Sequence, residues 1–171
     1  LQIFSRLRSS GYLSDLEKQA GRAIRLSLFT FVLGTSTFGL FMDFILPYIN
    51  ENVSFIQIEL WIIMTFVWYL ERHHGMHAQI YSTTNHIPFY IPISITGAIN
   101  LLIIFFLIEP IGVWVFPVAH GISNLLINNW WNVYLSLKSL NTNFKSFFKE
   151  YVMGSLILLT MVNFFIIIML K

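Results

Sequence analysis

The chain has 171 residues, of which 56% are hydrophobic and 11% are charged, with a formal net charge of +2 and no cysteine. So few charged groups cannot cover the surface of a domain of this length, which excludes an ordinary water-soluble fold. The lack of cysteine also excludes disulfides, thiolate metal sites and cysteine nucleophiles.

Long apolar runs predict an all-α, multi-pass transmembrane bundle of about five spans, since about 20 helical residues cross the hydrocarbon core of a bilayer. We expect a polar N-terminal segment with a short interfacial helix at residues 1–23 and a four-span block at 24–137. A cytoplasmic link at 138–150 and a fifth span at 151–171 complete the order. Within the block, the expected spans are 24–48, 55–76, 88–108 and 113–137, the last kinked by Pro117.

The basic residues predict the orientation of the bundle. Five lie between the N-terminus and Arg25, one (Arg72) follows the second span and three lie in 138–150, whereas the connections at 49–54 and 109–112 have none. Because cytoplasmic loops carry the excess of Lys and Arg, we expect the N-terminal end of this segment on the cytoplasmic side. The chain begins at Leu1, so we expect it to be part of a longer polypeptide with a preceding N-terminal portion.

Residues 69–86 (YLERHHGMHAQIYSTTNH), termed here the histidine segment, contain four of the five histidines. One interpretation is a metal site, because His73 and His77 lie four apart on a helix, although no glutamate base separates them and a third ligand is lacking. Another is ligand contact: Arg72 offers a planar fork to phosphate oxygens, and His73, His74 and His77 add charge near neutral pH. The third is simple emergence into water at the cytoplasmic mouth of the bundle.

The fourth span carries a polar stripe, His120, Asn124 and Asn128, at a spacing of four. Three polar groups facing lipid are unfavourable, so the stripe is expected to pack against other helices or to line a sugar path. Two carboxylates near the outer face, Asp43 and Glu59, are weak candidates for binding a coupling ion. The carboxylates are scattered and no phosphate-binding glycine loop is present, so we expect neither an enzyme nor a cofactor, and no metal.

Several stretches resemble the C-terminal part of polysaccharide flippases, which transport O-antigen or capsule repeat units. They belong to the multidrug/oligosaccharidyl-lipid/polysaccharide exporter superfamily. The stretches are residues 81–101 (YSTTNHIPFYIPISITGAINL), 107–112 (LIEPIG), 118–124 (VAHGISN) and 11–18 (GYLSDLEK). The chain departs from the family at 113–117, where bulky residues replace the usual small ones.

This resemblance implies flipping of lipid-linked oligosaccharide, carried on undecaprenyl pyrophosphate, across the bacterial cytoplasmic (inner) membrane for surface polysaccharide biosynthesis. The implied partners are this substrate, the lipid bilayer, the N-terminal portion of the polypeptide and polysaccharide polymerase machinery, with no nucleic acid. On this hypothesis Arg72, His73, His74 and His77 line the cytoplasmic mouth, and His120, Asn124 and Asn128 line or brace the interior. The alternatives are an ion-coupled multidrug exporter of the same superfamily and a membrane assembly protein without transport activity.

Overall fold

The computed structural model describes residues 2–49 and 55–169, apart from the side chains of residues 43, 44 and 47. All regular structure in these residues is helical, which confirms the predicted all-α class. The helices are α1 (Gln2–Ser9), α2 (Leu13–Ile49), α3 (Ile58–Ser82), α4 (Tyr90–Ile111), α5 (Val115–Ser123), α6 (Asn129–Leu140), α7 (Phe144–Tyr151) and α8 (Met153–Met169), with a π-helical turn, Asn124–Asn128, between α5 and α6.

The long helices pack side by side and alternate in direction. Helices α2 and α3 are antiparallel, since Phe31 meets Tyr69 with ring centroids 6.4 Å apart while Phe38 stacks on Trp61 at 5.3 Å. After α4 the chain reverses at Gly112, whose φ of 55° lies in the region that favours glycine. The reversed segment, formed by α5, the π turn and α6, packs along α4 and α3.

Helices α7 and α8 pack against α2, and α8 also contacts α3. They are bent by 51° relative to each other. Tyr69 of α3 hydrogen-bonds to Ser155 of α8 at 2.7 Å, and Asn163 donates to Thr65 at 3.2 Å, so α8 runs antiparallel to α3. A direct side-chain bond between α3 and α8 thus holds the buried Asn163 in the interior.

The core lies where α2 crosses this arrangement. Its buried face consists of Leu16, Ala20, Ile24, Leu28 and Val32, which are spaced four apart and each 0% exposed. That spacing places them on one stripe of the helix. In contrast, α4 is apolar all round and leaves Leu101, Leu102, Phe105 and Phe106 exposed, as expected of a surface that faces lipid rather than water.

The structure supports a membrane protein, but the five predicted spans are not all confirmed. Two stretches, Leu13–Met42 and Tyr90–Leu140, are long and apolar enough to cross a membrane, and the bent pair α7–α8 is a third if it counts as one span. The second stretch folds back on itself at Gly112. Helix α3, expected as a span, falls outside this group because Glu71, Arg72 and the histidines lower its apolar character.

Two local expectations also differ from the structure. Pro117 lies in the first turn of α5, where a missing N–H interrupts little of the helix, so the chain changes direction at Gly112 instead. The link predicted at 138–150 is largely helical: α6 continues to Leu140, and α7 begins after Asn143. The Asn143 side chain accepts a hydrogen bond from the Lys145 N–H at 2.8 Å, which caps α7.

Candidate functional site

A groove of about 770 Å³ lies between α2 and α3 and is open to the surroundings. Polar side chains line it from both helices: Ser27 and Thr30 from α2, and Glu71, Arg72 and Gln79 from α3. The Arg72 Nε donates to the Ser27 Oγ at 2.7 Å, which fixes one edge of the guanidinium against α2. The other N–H groups of Arg72 form no hydrogen bond with any residue that the structure describes, so they are available to a ligand in the groove.

Glu71 connects this groove with a neighbouring cavity on an adjoining face of α3. Its Oε2 lies 3.3 Å from the Nε2 of His120 on α5, with the two side chains 50% and 38% exposed. His120 also lines an apolar cavity of about 410 Å³ between α3, α4 and α5, together with Asn100. Trp68 borders both cavities. The polar face of α3 thus continues from the groove to the predicted stripe of the fourth span.

The histidines of the predicted mouth are placed differently from expectation. His73 and His74 are each 8% exposed and His77 is 1% exposed, so none of them lines an open mouth or emerges into water. The reason is the neighbouring helix: α6 presents amide and hydroxyl side chains to this face of α3, and His77 Nδ1 lies 3.0 Å from the Ser136 Oγ. Only Arg72, which points to the groove, keeps the exposed position predicted for it.

His74 has the most complete set of partners. Its Nδ1 lies 3.1 Å from both the Leu70 carbonyl oxygen and the Asn129 Oδ1, while its Nε2 lies 3.3 Å from the Asn128 Nδ2. Two acceptors at Nδ1 and a donor at Nε2 match the neutral imidazole with its proton on Nδ1. This ring therefore acts as a hydrogen-bonded bridge between α3 and the π turn, and it has no nitrogen left for a substrate.

The stripe predicted on the fourth span forms a ladder of side chains. Asn124 Nδ2 lies 3.2 Å from His120 Nε2, Asn128 donates to the Asn124 Oδ1 at 3.2 Å, and Asn132 donates to the Asn128 Oδ1 at 3.2 Å. Asn124 and Asn128 are buried, at 4% and 8% exposure, and occupy the two ends of the π turn. These two residues brace the interior, whereas His120 alone of the predicted stripe reaches a cavity.

The weak ion-coupling candidates lie away from the groove. Glu59 is exposed in the first turn of α3, more than two helical turns before Trp68, and is not among the residues lining either cavity. The side chain of Asp43 lies outside the described residues. The carboxylate that the structure brings into the polar face is Glu71, which was not among the predicted ion-coupling residues.

Metal binding finds no support in the arrangement of the described residues. Within residues 2–49 and 55–169, no group of three histidine, aspartate or glutamate side chains is placed to hold an ion. The rings of His73 and His77 do lie close, with centroids 4.8 Å apart at 71°. Their shared face is filled by packing, since Phe147 of α7 lies 5.5 Å from the His77 ring.

Sequence reasoning missed part of the groove that a helical projection of α3 reveals. Trp68, Arg72, Gly75 and Gln79 recur at intervals of three or four and so share one face. The opposing Ser27 and Thr30 carried no signal of their own, because isolated hydroxyls are common in transmembrane helices. The sequence likewise offered no reason to expect that Asn129, Asn132 and Ser136 of α6 contact the histidines or the polar stripe.

Comparison with known proteins adds no family assignment. The chain matches no protein-family model, and no curated protein or solved structure is significantly similar to it.

Proposed function

We propose that this chain is part of a membrane transporter that flips lipid-linked oligosaccharide, of the undecaprenyl pyrophosphate type, across the bacterial cytoplasmic membrane for surface polysaccharide biosynthesis. The observation that carries the proposal is the open groove between α2 and α3, where a guanidinium, a carboxylate, an amide and hydroxyls line one concave surface of an apolar bundle. Such polar groups are unfavourable in a membrane protein unless they face a cavity or a partner.

Arg72 is suited to the pyrophosphate. The bond from its Nε to Ser27 orients the guanidinium, and its remaining N–H groups form a fork that matches two phosphate oxygens. A single orienting hydroxyl also leaves the side chain enough freedom to follow a moving charge. Arg72 therefore handles the charged end of the substrate in this proposal.

The rest of the groove suits a sugar chain. Glu71 and Gln79 offer acceptors and donors for hydroxyl groups, and Trp68, 36% exposed at the edge, presents a ring face. Because the groove is open along one side, a second helical lobe can close over it and open again, as in transporters whose repeats rock about a central site. In this mechanism α2 and α3 form one wall of the path.

The test uses cells that make the surface polysaccharide and replaces Arg72 with Ala and with Lys at equal protein level. Arg72→Ala is expected to reduce surface polysaccharide and to accumulate the lipid-linked precursor, while Arg72→Lys restores part of the export because it keeps the charge without the fork. The matched control is Arg25→Ala, which removes an exposed charge from α2 outside the groove. Unchanged export in both Arg72 variants contradicts the proposal.

One observation favours a second candidate, an ion-coupled exporter of drugs or other small molecules. The Glu71–His120 contact at 3.3 Å joins two titratable groups across α3 and α5 on the polar face. Transporters bind coupling ions with carboxylates of this kind inside the membrane. A membrane assembly protein without transport activity is expected to have a fully packed interior. The open polar groove between α2 and α3 is evidence against that alternative.

A further inference from the structure

A second polar pocket lies at the end of the bundle where α1 meets the turn between α3 and α4. It has a volume of about 480 Å³ and is lined by guanidinium, hydroxyl and amide side chains, among them Ser5, Arg6, Arg8, Thr83, Thr84 and Asn85. None of the described residues that line it is a carboxylate, and none of them also lines the groove between α2 and α3. We infer that this pocket binds a phosphate group, supplied by the headgroup of an anionic membrane lipid.

Arg8 is held in place before any ligand arrives. Its Nε donates to the Thr83 Oγ1 at 2.7 Å, and its two terminal nitrogens donate to the backbone oxygen and the Oγ of Ser139 at 3.2 and 3.1 Å. These bonds connect α1 to α3 and α6 and occupy three of the five N–H groups of an arginine. The remaining two, one on each terminal nitrogen, have no partner among the described residues and are available to an anion.

The charge of Arg8 also lacks a counterion. Within the described part of the chain no carboxylate lies within ion-pair distance of its guanidinium. Burial lowers the pKa of Arg8 from its ordinary value, and the nearby Tyr81 hydroxyl offsets this only in part. A half-buried cation without an anion is unfavourable, and an anion bound beside it removes that cost.

Arg6 and the hydroxyl groups complete a donor set for phosphate oxygens. Arg6 is exposed at the pocket, and its side chain makes no hydrogen bond with any described residue. The hydroxyl hydrogens of Ser5 and Thr84 are not committed to a described acceptor either, whereas Thr83 donates to the Ile80 oxygen. Two guanidinium groups with hydroxyls are a combination that suits an oxyanion such as phosphate better than a neutral sugar.

The surroundings point to a lipid as the source of the phosphate. Phe4 and Leu7 pack α1 onto the core, while Ile3 on the same helix is 67% exposed beside the pocket-lining residues. A short basic helix with an exposed aliphatic side chain is suited to the boundary between headgroups and acyl chains. Arg6 and Arg8 belong to the basic N-terminal segment, which the charge distribution predicts to be cytoplasmic. Anionic lipid headgroups are found on that side of the membrane.

The test measures binding of phosphatidylglycerol to the purified full chain in detergent by native mass spectrometry, with diacylglycerol as the lipid without phosphate. Arg6→Gln is the informative variant because Arg6 makes no described side-chain bond, and Arg25→Gln is the control with the same loss of charge. We expect wild type and Arg25→Gln to bind one phosphatidylglycerol equally, and Arg6→Gln to bind it about five-fold more weakly. Thermal unfolding of each variant confirms that it is folded.

Competition with inorganic phosphate separates the two sources. Retention of phosphatidylglycerol in excess phosphate supports a site for the whole lipid headgroup, whereas displacement supports a site that reads the phosphate alone. Equal binding of phosphatidylglycerol and diacylglycerol overturns the inference, as does equal weakening in the Arg6 and Arg25 variants. Neither result depends on transport, so the pocket can fail this test while the proposed function stands.

Discussion

Gly21 permits the close contact between α2 and α7, and adding one methyl group there gives a sharp prediction. A Cβ atom at Gly21 would lie 2.5 to 2.6 Å from three ring atoms of Tyr151. That ring cannot turn away freely, because Tyr151 is 5% exposed and packs on Phe147 with centroids 4.9 Å apart. At Gly34, on the same helix, no described atom beyond the adjoining helix backbone lies within 4 Å of the Cβ position, so it provides the matched control.

The magnitude follows from two opposing effects. Replacing glycine by alanine inside a helix stabilises it by about 1 kcal/mol, which both variants share. Forcing an extra carbon into a packed contact costs about 1–3 kcal/mol, which only Gly21→Ala incurs. The free energy of unfolding of Gly21→Ala is therefore expected to lie about 1–3 kcal/mol below that of Gly34→Ala.

The assay is unfolding by SDS in mixed micelles, followed by circular dichroism for both variants and the wild type. Adding Tyr151→Ala to each glycine variant should shrink the difference, because it removes the ring that the methyl group meets. If Gly21→Ala proves as stable as Gly34→Ala, α2 and α7 are not in contact as described.

Two further predictions address the polar interior. Asn128→Leu removes three described hydrogen bonds, to His74, Asn124 and Asn132, and is expected to lower the free energy of unfolding by about 2 kcal/mol, at about 0.6 kcal/mol per bond. Asn100→Leu is its control, since the Asn100 Oδ1 is buried without a described partner, and equal losses in the same SDS assay would refute the reasoning. If export is ion-coupled, Glu71→Gln should lower export and remove its dependence on external pH; an unchanged pH profile in transport assays excludes Glu71 as the coupling carboxylate.

The helical class and the membrane location were predictable from composition alone. An apolar fraction of 56% in long runs leaves few alternatives to helices in a bilayer, because helices satisfy their own backbone groups. The boundary of each span was less predictable. Glu71 and Arg72 lower the mean hydropathy of α3 below that of a typical membrane helix. In the fold, however, both side chains line the groove between α2 and α3.

The site was only partly predictable, because whether a helix face is buried or exposed depends on which other helix packs against it. The spacing of His73 and His77 correctly predicts a shared face, but it does not tell which helix covers that face. Helix α6 covers this face because α4 carries the chain back across the bundle, and α5 and α6 then run parallel to α3. Local periodicity in the sequence does not contain this information. The sequence therefore placed the histidines at a mouth, whereas the fold buries them and leaves Arg72 exposed.

The π turn has a consequence for the length of the chain at this point. Residues four apart on an α-helix drift by about 40° at each step, so an unbroken helix would carry Asn132 about 120° away from His120. The turn at Asn124–Asn128, closed by the bond from the Asn129 N–H to the Asn124 oxygen, takes up one extra residue and opposes this drift. A regular α-helix would bring the two ends of the ladder back into line only if it were one residue shorter, since eleven steps of about 100° end about 20° from the starting direction. The π turn therefore absorbs the extra residue locally and leaves α6 facing α3. The π turn thus allows His120 and Asn132 to lie near one face of the segment although an unbroken α-helix of the same length would separate them.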